Sequence, residues 1–143
     1  GLAESLTGGL AAARLVNVPG ASNWFRGAVV AYDPAVKFSV LDVPEGPVVS
    51  DKAARAMAEG ARRLLGSDIG LGITGVAGPD EQDGRPPGTV FVAVATGDDV
   101  EALELHLPGD RERVRQYATI SALDVLRRTL RARGARSGAS PAH

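Results

Sequence analysis

Apolar residues along the chain cluster in short runs, which are typical of strands, and also recur every three or four positions, which is typical of helices. The runs predict strands at residues 2–4, 27–32, 69–74, 89–96 and 100–107. We expect 27–32 and 69–74 to be buried, and the glycines of 69–74 predict close approach of a neighbouring backbone or ligand. Gly97-Asp98-Asp99 between the last two runs indicates a hairpin.

The periodic segments predict helices at residues 10–16, 35–41, 52–65 and from 111 to about 131. Asp33-Pro34 and Ser50-Asp51 are typical of helix starts, and Gly66 is typical of a helix end. The predicted order β-α-β-α-α-β-β-β-α indicates an α/β domain, a three-layer α/β/α sandwich with a mixed, mostly parallel sheet and one antiparallel strand. We expect one domain over residues 1–133 and a disordered tail at 134–143, which is small and polar.

Composition narrows the possible chemistry. The 143 residues carry a formal net charge of −1, which gives no bias toward nucleic acid or an anionic membrane. Cysteine is absent and there are two histidines, so thiolate chemistry and a histidine-rich zinc site are excluded. Lys37 and Lys52 are the two lysines among 16 basic residues, so few nitrogen bases are available, because arginine keeps its proton.

The sequence contains no apolar run long enough for a membrane helix and no signal-peptide pattern. We therefore expect a cytoplasmic protein without membrane contact. The chain begins at Gly1, inside what the pattern indicates is a structural unit, which is typical of a fragment or a processed chain.

Two strand ends carry glycine-rich segments, where α/β sheets commonly bind ligands. Glu4 to Gly9 places Ser5, Thr7, Gly8 and Gly9 before a helix, where free N–H groups can hold an oxyanion or phosphate. The alternative is that Thr7 caps the helix and the glycines only turn the chain, as short glycine-rich turns commonly do. Thr74 to Asp80 closes a strand with a second glycine-rich loop, for which packing and ligand binding are both open. Asp80, Glu81 and Asp83 are interpreted as a solvated acidic loop.

Tyr32 ends the 27–32 run, and Lys37 lies one turn into the next predicted helix. A surface position is the ordinary alternative for Lys37, but a desolvated lysine can lose its proton and act as a base. His106 falls on the polar face of its strand, so we expect it at the surface. Trp24 and Phe25 predict core packing or a dimer contact. Arg111 at a helix start indicates an anion contact or a salt bridge.

Seven ordered motifs between residues 3 and 130 resemble the family of CinA C-terminal domains, the nicotinamide mononucleotide deamidases. They are Ala3-Glu4-Ser5-Leu6-Thr7-Gly8-Gly9, the 18–25 segment, Gly27 to Tyr32 with Lys37, Val49-Ser50, Ile73 to Pro79, Pro87 to Val90 and Pro108-Gly109-Asp110-Arg111. The chain departs from the family at Leu6, where cysteine is frequent, at Asp33-Pro34, and in a shorter 43–49 stretch.

The resemblance implies a fold similar to anticodon-binding domains and hydrolysis of the nicotinamide mononucleotide carboxamide to nicotinic acid mononucleotide and ammonia. It implies a metal-independent serine amidohydrolase without a cofactor, in which Ser5 is the nucleophile and Lys37 the general base, assisted by Ser22 and Tyr32. The family pattern further implies substrate contacts from these residues: Thr7, Gly8, Gly9, Thr74, Gly75, Ala77, Gly78 and Arg111. Arg111 is the natural partner of the substrate phosphate.

The expected partners are the small-molecule substrate and further copies of the chain, as a homodimer or higher homo-oligomer. The alternative function is a non-catalytic nucleotide-binding or protein-interaction module linked to competence or DNA damage. Together, Ser5, Lys37 and Tyr32 favour the enzyme. Direct nucleic-acid binding is not expected, given the net charge and an aromatic content of 4%.

Overall fold

The computed structural model describes residues 1–138, which form a five-stranded sheet with helices on both faces. The strands are β1 (Leu2–Glu4), β2 (Ala28–Val30), β3 (Gly70–Gly75), β4 (Thr89–Ala95) and β5 (Val100–His106). The helices are α1 (Leu10–Val16), α2 (Pro34–Leu41), α3 (Asp51–Leu65) and α4 (Arg111–Gly138), with a short 3-10 helix at Ala21–Asn23. The predicted order of elements is confirmed.

The strands lie in the order β2-β1-β3-β4-β5. β1 pairs in parallel with β2 and β3, whereas β4 is antiparallel to both of its neighbours. Four strands therefore share one direction and β4 opposes them, which confirms the predicted mixed sheet. The parallel register sets Glu4 between Val30 and Ile73, so the carboxyl ends of β1, β2 and β3 meet at one edge.

Alternating residues of the strands face two different helix layers, which gives the predicted three-layer sandwich. Leu71 and Ile73 of β3 pack against α1 and α4, whose Val114 and Ala118 are fully buried. The opposite face packs on α2 and α3, with Met57 at its centre. Within residues 1–138, no helix has the length and apolar character that a membrane crossing requires.

The glycines of β3 allow close contact between backbones. A Cβ atom on Gly70 would lie 2.1 Å from Ala58 O of α3, and one on Gly72 would lie 2.6 Å from Ala54 O. Both clashes are with helix backbone, so side chains at these positions would push α3 off the sheet. The predicted close approach at 69–74 is thus helix packing.

Two predicted elements differ from the structure. The 27–32 run was expected to be a buried strand, but β2 is three residues long and lies at the sheet edge, with Val30 47% exposed. An edge strand has a neighbouring strand on one side only, so its other side lacks the cover that an interior strand has. Helix α4 continues through Gly138, so the first five residues of the expected 134–143 tail are helical, and 139–143 lie outside the described residues.

Candidate active site

The candidate site lies at the edge where β1, β2 and β3 end. Ser5 directly follows β1, Tyr32 follows β2 by two residues, and Thr74-Gly75 end β3. Because β1 lies between the other two strands, Ser5 occupies the centre of this edge. Its side chain is buried, with 7% of the residue exposed.

Lys37 turns from α2 into this edge and is 1% exposed. Its Nζ donates hydrogen bonds to Ala31 O at 2.8 Å and to Tyr32 O at 3.2 Å. Burial lowers the pKa of Lys37 from its ordinary value of 10.5, while the carboxylates of Asp33 and Asp83 oppose that change. The expectation of a desolvated lysine is confirmed, and the surface alternative is wrong.

The strand ladder places the Lys37 amine beside the Ser5 segment. The last hydrogen bond between β1 and β2 runs from Ala31 N–H to Glu4 O, at 2.8 Å. If the parallel pairing went on, the next bond would run from Leu6 N–H to Ala31 O. Lys37 Nζ takes that acceptor instead, at the point where the chain turns away after Ser5. Among the described residues, no hydrogen bond joins Ser5 Oγ to Lys37 Nζ. The amine bonds instead to the carbonyl of Ala31, the residue opposite Ser5 in the continued register.

Glu4 occupies the helix N-terminus that the sequence suggested for an anion. Its fully buried carboxylate accepts hydrogen bonds from Gly9 N at 3.2 Å, Ala11 N at 3.0 Å and Ala12 N at 2.9 Å. The amides of Gly8 and Leu10 donate to Ser5 O and Thr7 O. The start of α1 is therefore capped by the protein itself, so the hypothesis that Gly8 and Gly9 supply amides to an oxyanion or phosphate is corrected.

We expect Glu4→Gln to lower the free energy of unfolding by about 1–3 kcal/mol, because an amide NH2 would face backbone donors and the helix start would lose a charge-assisted cap. Urea unfolding measures the change. Glu101→Gln, on the exposed strand β5, is the matched control and should alter stability by less than about 0.5 kcal/mol. Equal effects in the two variants would show that Glu4 does not hold α1.

Two other amides are better placed for an oxyanion. Among the described residues, the N–H groups of Leu6 and Thr7 donate to no backbone carbonyl, and both directly follow Ser5. Arg115 of α4 fixes this segment by donating to Leu6 O at 2.8 Å and Thr7 O at 3.4 Å. The buried Thr7 Oγ1 also has no hydrogen-bond partner in the described part of the chain. Sequence reasoning missed Arg115, although its position four residues after Arg111 places both on one helix face.

The second glycine-rich segment is largely structural. Thr74 Oγ1 donates its one hydrogen to Val48 O at 2.7 Å. The hydroxyl can therefore accept a hydrogen bond from a ligand but cannot donate one. A Cβ on Gly75 would lie 2.6 Å from Thr89 O, so packing explains this glycine. Ala77 is buried, and Gly78 adopts a left-handed φ of 96°.

Arg111 crosses the edge from the start of α4. Its guanidinium donates to Gly78 O at 2.6 Å and to Tyr32 Oη at 2.7 Å. Gly78 follows β3 and Tyr32 follows β2, so Arg111 spans the two strands that flank Ser5. In the structure it therefore meets a carbonyl and a hydroxyl, where the sequence suggested an anion or a salt bridge.

Ser22 is not brought to this edge. It belongs to the 3-10 helix and lines a cavity of about 600 Å³ together with Gly1, Leu2 and Ile69, at the amino-terminal ends of β1 and β3. Trp24 lines the same cavity and is half-exposed, while Phe25 packs against the core.

His106 is at the surface, as expected, with Nε2 2.8 Å from Glu104 Oε2. Among residues 1–138, no group of three or more His, Asp or Glu side chains converges as a metal site would require.

Comparisons with known proteins agree on one family. The family model for the CinA C-terminal domain matches residues 1–130. The chain is 50% identical over 134 residues to a CinA-like protein of Frankia casuarinae and 47% identical over 135 residues to one of Dictyoglomus thermophilum. Each match covers 90% of this chain, which spans about a third of the relatives' length (31% and 33%).

Solved structures give the same result. The competence damage-inducible protein A of Klebsiella pneumoniae superposes with a TM-score of 0.86 at 32% identity, covering 90% of this chain and 84% of that one. A competence-damaged protein (CinA) superfamily protein of Escherichia coli gives a TM-score of 0.84 at 32% identity, covering 87% and 76%. The shared fold and the match over residues 1–130 show that this chain belongs to the CinA C-terminal domain family.

Proposed function

We propose that the chain is a nicotinamide-nucleotide amidase, which hydrolyses the carboxamide of nicotinamide mononucleotide to nicotinic acid mononucleotide and ammonia in pyridine nucleotide recycling. One observation carries the proposal: a buried lysine amine bonds to the carbonyl of Ala31, which lies opposite the buried Ser5 where β1 and β2 end. A hydroxyl is a weak nucleophile and an amide a poor electrophile, so the reaction needs such a base close by.

Lys37 supplies the proton transfers in this mechanism. Because burial lowers the pKa of Lys37, its neutral form is more accessible than that of an exposed lysine. The neutral amine takes the Ser5 proton as Oγ attacks the carboxamide carbon, and then protonates the leaving ammonia. Water next attacks the resulting ester of Ser5, with Lys37 again as base, which releases the carboxylate and restores the hydroxyl.

The Leu6 and Thr7 amides are the donors we assign to the tetrahedral oxyanion. They follow Ser5 directly and donate to no backbone carbonyl among the described residues. Each donor of this kind is worth on the order of 3 kcal/mol in the transition state. Arg115 holds the carbonyls of the same two residues, so it keeps both amides in place.

Arg111 and Tyr32 are the substrate-facing groups of the proposal. A guanidinium has five N–H donors, and the two hydrogen bonds to Gly78 O and Tyr32 Oη leave others for a phosphate. Tyr32 is 58% exposed, so its ring and hydroxyl are open to a bound nucleotide.

Ammonia release tests the proposal. The purified chain is incubated with nicotinamide mononucleotide, nicotinamide riboside and nicotinamide, and ammonia and acid products are quantified. We expect equal amounts of ammonia and nicotinic acid mononucleotide from the first substrate, and far slower turnover of the two that lack a phosphate. Absence of ammonia from all three, together with binding of the nucleotide, would favour the non-catalytic module.

We expect Arg111→Ala to lower kcat/KM for nicotinamide mononucleotide by roughly tenfold to a hundredfold, chiefly through KM, because it removes charge-assisted bonds to the phosphate. The same variant should change turnover of nicotinamide riboside much less. Arg113→Ala, two residues along the same exposed helix start, is the control. An equal loss with both substrates would remove the phosphate role from Arg111.

A further inference from the structure

Ser5 begins a tight turn that directly follows β1. Gly8 N–H donates to Ser5 O at 3.0 Å, and Gly8 has a left-handed φ of 57°. The two residues inside this turn are Leu6 and Thr7, whose N–H groups donate to no backbone carbonyl among the described residues. Successive free amides in a turn form a concave site for an anion. The strength of these two donors therefore decides how well the turn stabilises an oxyanion.

Arg115 reaches this turn from the second turn of α4. The preceding residue, Val114, is fully buried in the core, which fixes this part of the helix against the sheet. The Arg115 guanidinium donates from Nε to Leu6 O at 2.8 Å and from Nη2 to Thr7 O at 3.4 Å. A Cβ atom on Gly8 would lie 3.2 Å from the same Nη2. The guanidinium thus lies directly against the turn.

The charge of Arg115 is directed at backbone carbonyls rather than at a carboxylate. None of the ion pairs among the described residues involves Arg115. The residue is partly buried, where solvent and salt screen a charge less than at an open surface. Hydrogen bonds from a charged donor are roughly twice as strong as neutral ones. The guanidinium therefore polarises the peptide groups that it binds.

Two chains of hydrogen bonds lead from Arg115 to the free amides. In the shorter chain, Nε binds Leu6 O, and the same peptide group carries the Thr7 N–H. In the longer chain, Nη2 binds Thr7 O, and the Gly8 N–H of that peptide group donates to Ser5 O. The peptide group of Ser5 O carries the Leu6 N–H. Because hydrogen bonds in a chain polarise one another, a charge at one end strengthens the donor at the other.

We propose that Arg115 is a positioning residue whose charge strengthens the Leu6 and Thr7 amides as oxyanion donors, by polarising the peptide groups to which they belong. Arg115 acts through the backbone and contacts no reacting atom. The proposal rests on the proposed function, because the tetrahedral oxyanion of that reaction is what the two amides bind. It adds a role for the charge of Arg115 to its role in anchoring the segment.

Arg115→Ala tests the kinetic consequence. The oxyanion develops only in the transition state, so we expect kcat for nicotinamide mononucleotide to fall about tenfold to a hundredfold, while KM changes by less than about threefold. Arg113→Ala removes an exposed arginine from the same helix and should keep both constants. A loss confined to KM would overturn the proposal, because it would assign Arg115 to substrate binding.

Chemical rescue separates the charge of Arg115 from its shape. Arg115→Ala removes a group that corresponds to ethylguanidinium, and ethylurea has nearly the same shape without the charge. We expect ethylguanidinium to restore kcat of this variant in a saturable manner, and ethylurea at equal concentration to restore much less. Equal rescue by the two compounds would exclude a role for the charge.

Two further variants replace Arg115→Ala if it does not fold. Arg115→Lys keeps a positive charge, whereas Arg115→Gln keeps a neutral N–H donor. If the charge matters, kcat should be higher in Arg115→Lys than in Arg115→Gln. The reverse order would contradict the proposal.

NMR separates this proposal from the proposed function. Polarisation of a peptide group moves its carbonyl 13C and amide 15N signals to lower field. We expect Arg115→Gln to move the Leu6 13C and Thr7 15N signals to higher field, and Leu6 15N by less, because its chain is longer and begins with the 3.4 Å bond. A wild type that releases no ammonia would refute the amidase, and these signals would still decide whether Arg115 polarises the turn. Signals that stay unchanged when Arg115 is replaced would overturn the proposal.

Discussion

Ser5→Ala is expected to abolish ammonia release from nicotinamide mononucleotide, with kcat/KM falling by at least about ten-thousandfold, because it removes the oxygen that would form the covalent intermediate. The substitution removes one oxygen and leaves the backbone bonds from Ser5 N–H to Ile73 O and from Gly8 N–H to Ser5 O in place, so the variant should keep the thermal unfolding midpoint of the wild type to within a few degrees. The comparison requires a coupled ammonia assay and calorimetry on the same preparations.

Ser39→Ala is the matched control for this substitution. Ser39 is an exposed serine on α2, whose hydroxyl donates to Ala35 O of its own helix, so its removal should leave turnover unchanged. Substantial turnover by Ser5→Ala would mean that water attacks the amide directly, and the role of Ser5 would have to be withdrawn.

The second large effect is expected for Lys37→Met, which keeps most of the length of the side chain and removes its amine. Loss of a general base typically costs a factor of about 10²–10⁴ in rate. The wild-type kcat/KM should rise with pH through a midpoint below 10.5, because burial lowers the pKa of Lys37, and this rise should disappear in the variant. Lys52→Met, on the exposed first turn of α3, should retain the wild-type profile.

Stability against pH provides an independent check on Lys37. A folded-state pKa below the unfolded value means that the unfolded chain binds more protons between the two values, so wild-type stability should rise with pH in that window. The difference in unfolding free energy between wild type and Lys37→Met should therefore shift in favour of the wild type as pH approaches 10.5. A difference that is constant with pH would contradict the lowered pKa.

Local signals explain why much of the fold was predictable. The Asp33 side chain accepts Ala35 N–H at 2.9 Å, the Ser50 side chain accepts Ala53 N–H at 3.0 Å, and Gly66 ends α3 in a left-handed conformation. Each depends on residues within a few positions, so the sequence carries the whole interaction. The order of strands and helices followed from periodicity in the same way.

The site was less accessible because its contacts are distant in sequence. Arg115 reaches Leu6 O across 109 positions, and Asp83 reaches Val48 N across 35. Glu4 looked like the polar end of a strand, whereas its carboxylate caps a helix that begins six residues later. Ser22 lies at the opposite edge of the sheet, because the 3-10 helix that carries it packs beside the starts of β1 and β3 rather than their ends.

The central claim is that Ser5 forms a covalent ester with the substrate, and partitioning with hydroxylamine tests it most directly. Nicotinamide mononucleotide is turned over in the presence of increasing hydroxylamine, and the products are separated by mass spectrometry. An ester on Ser5 predicts that hydroxamate forms in proportion to hydroxylamine at the expense of nicotinic acid mononucleotide. Steady ammonia release with nicotinic acid mononucleotide as the sole product at every hydroxylamine concentration would contradict the mechanism.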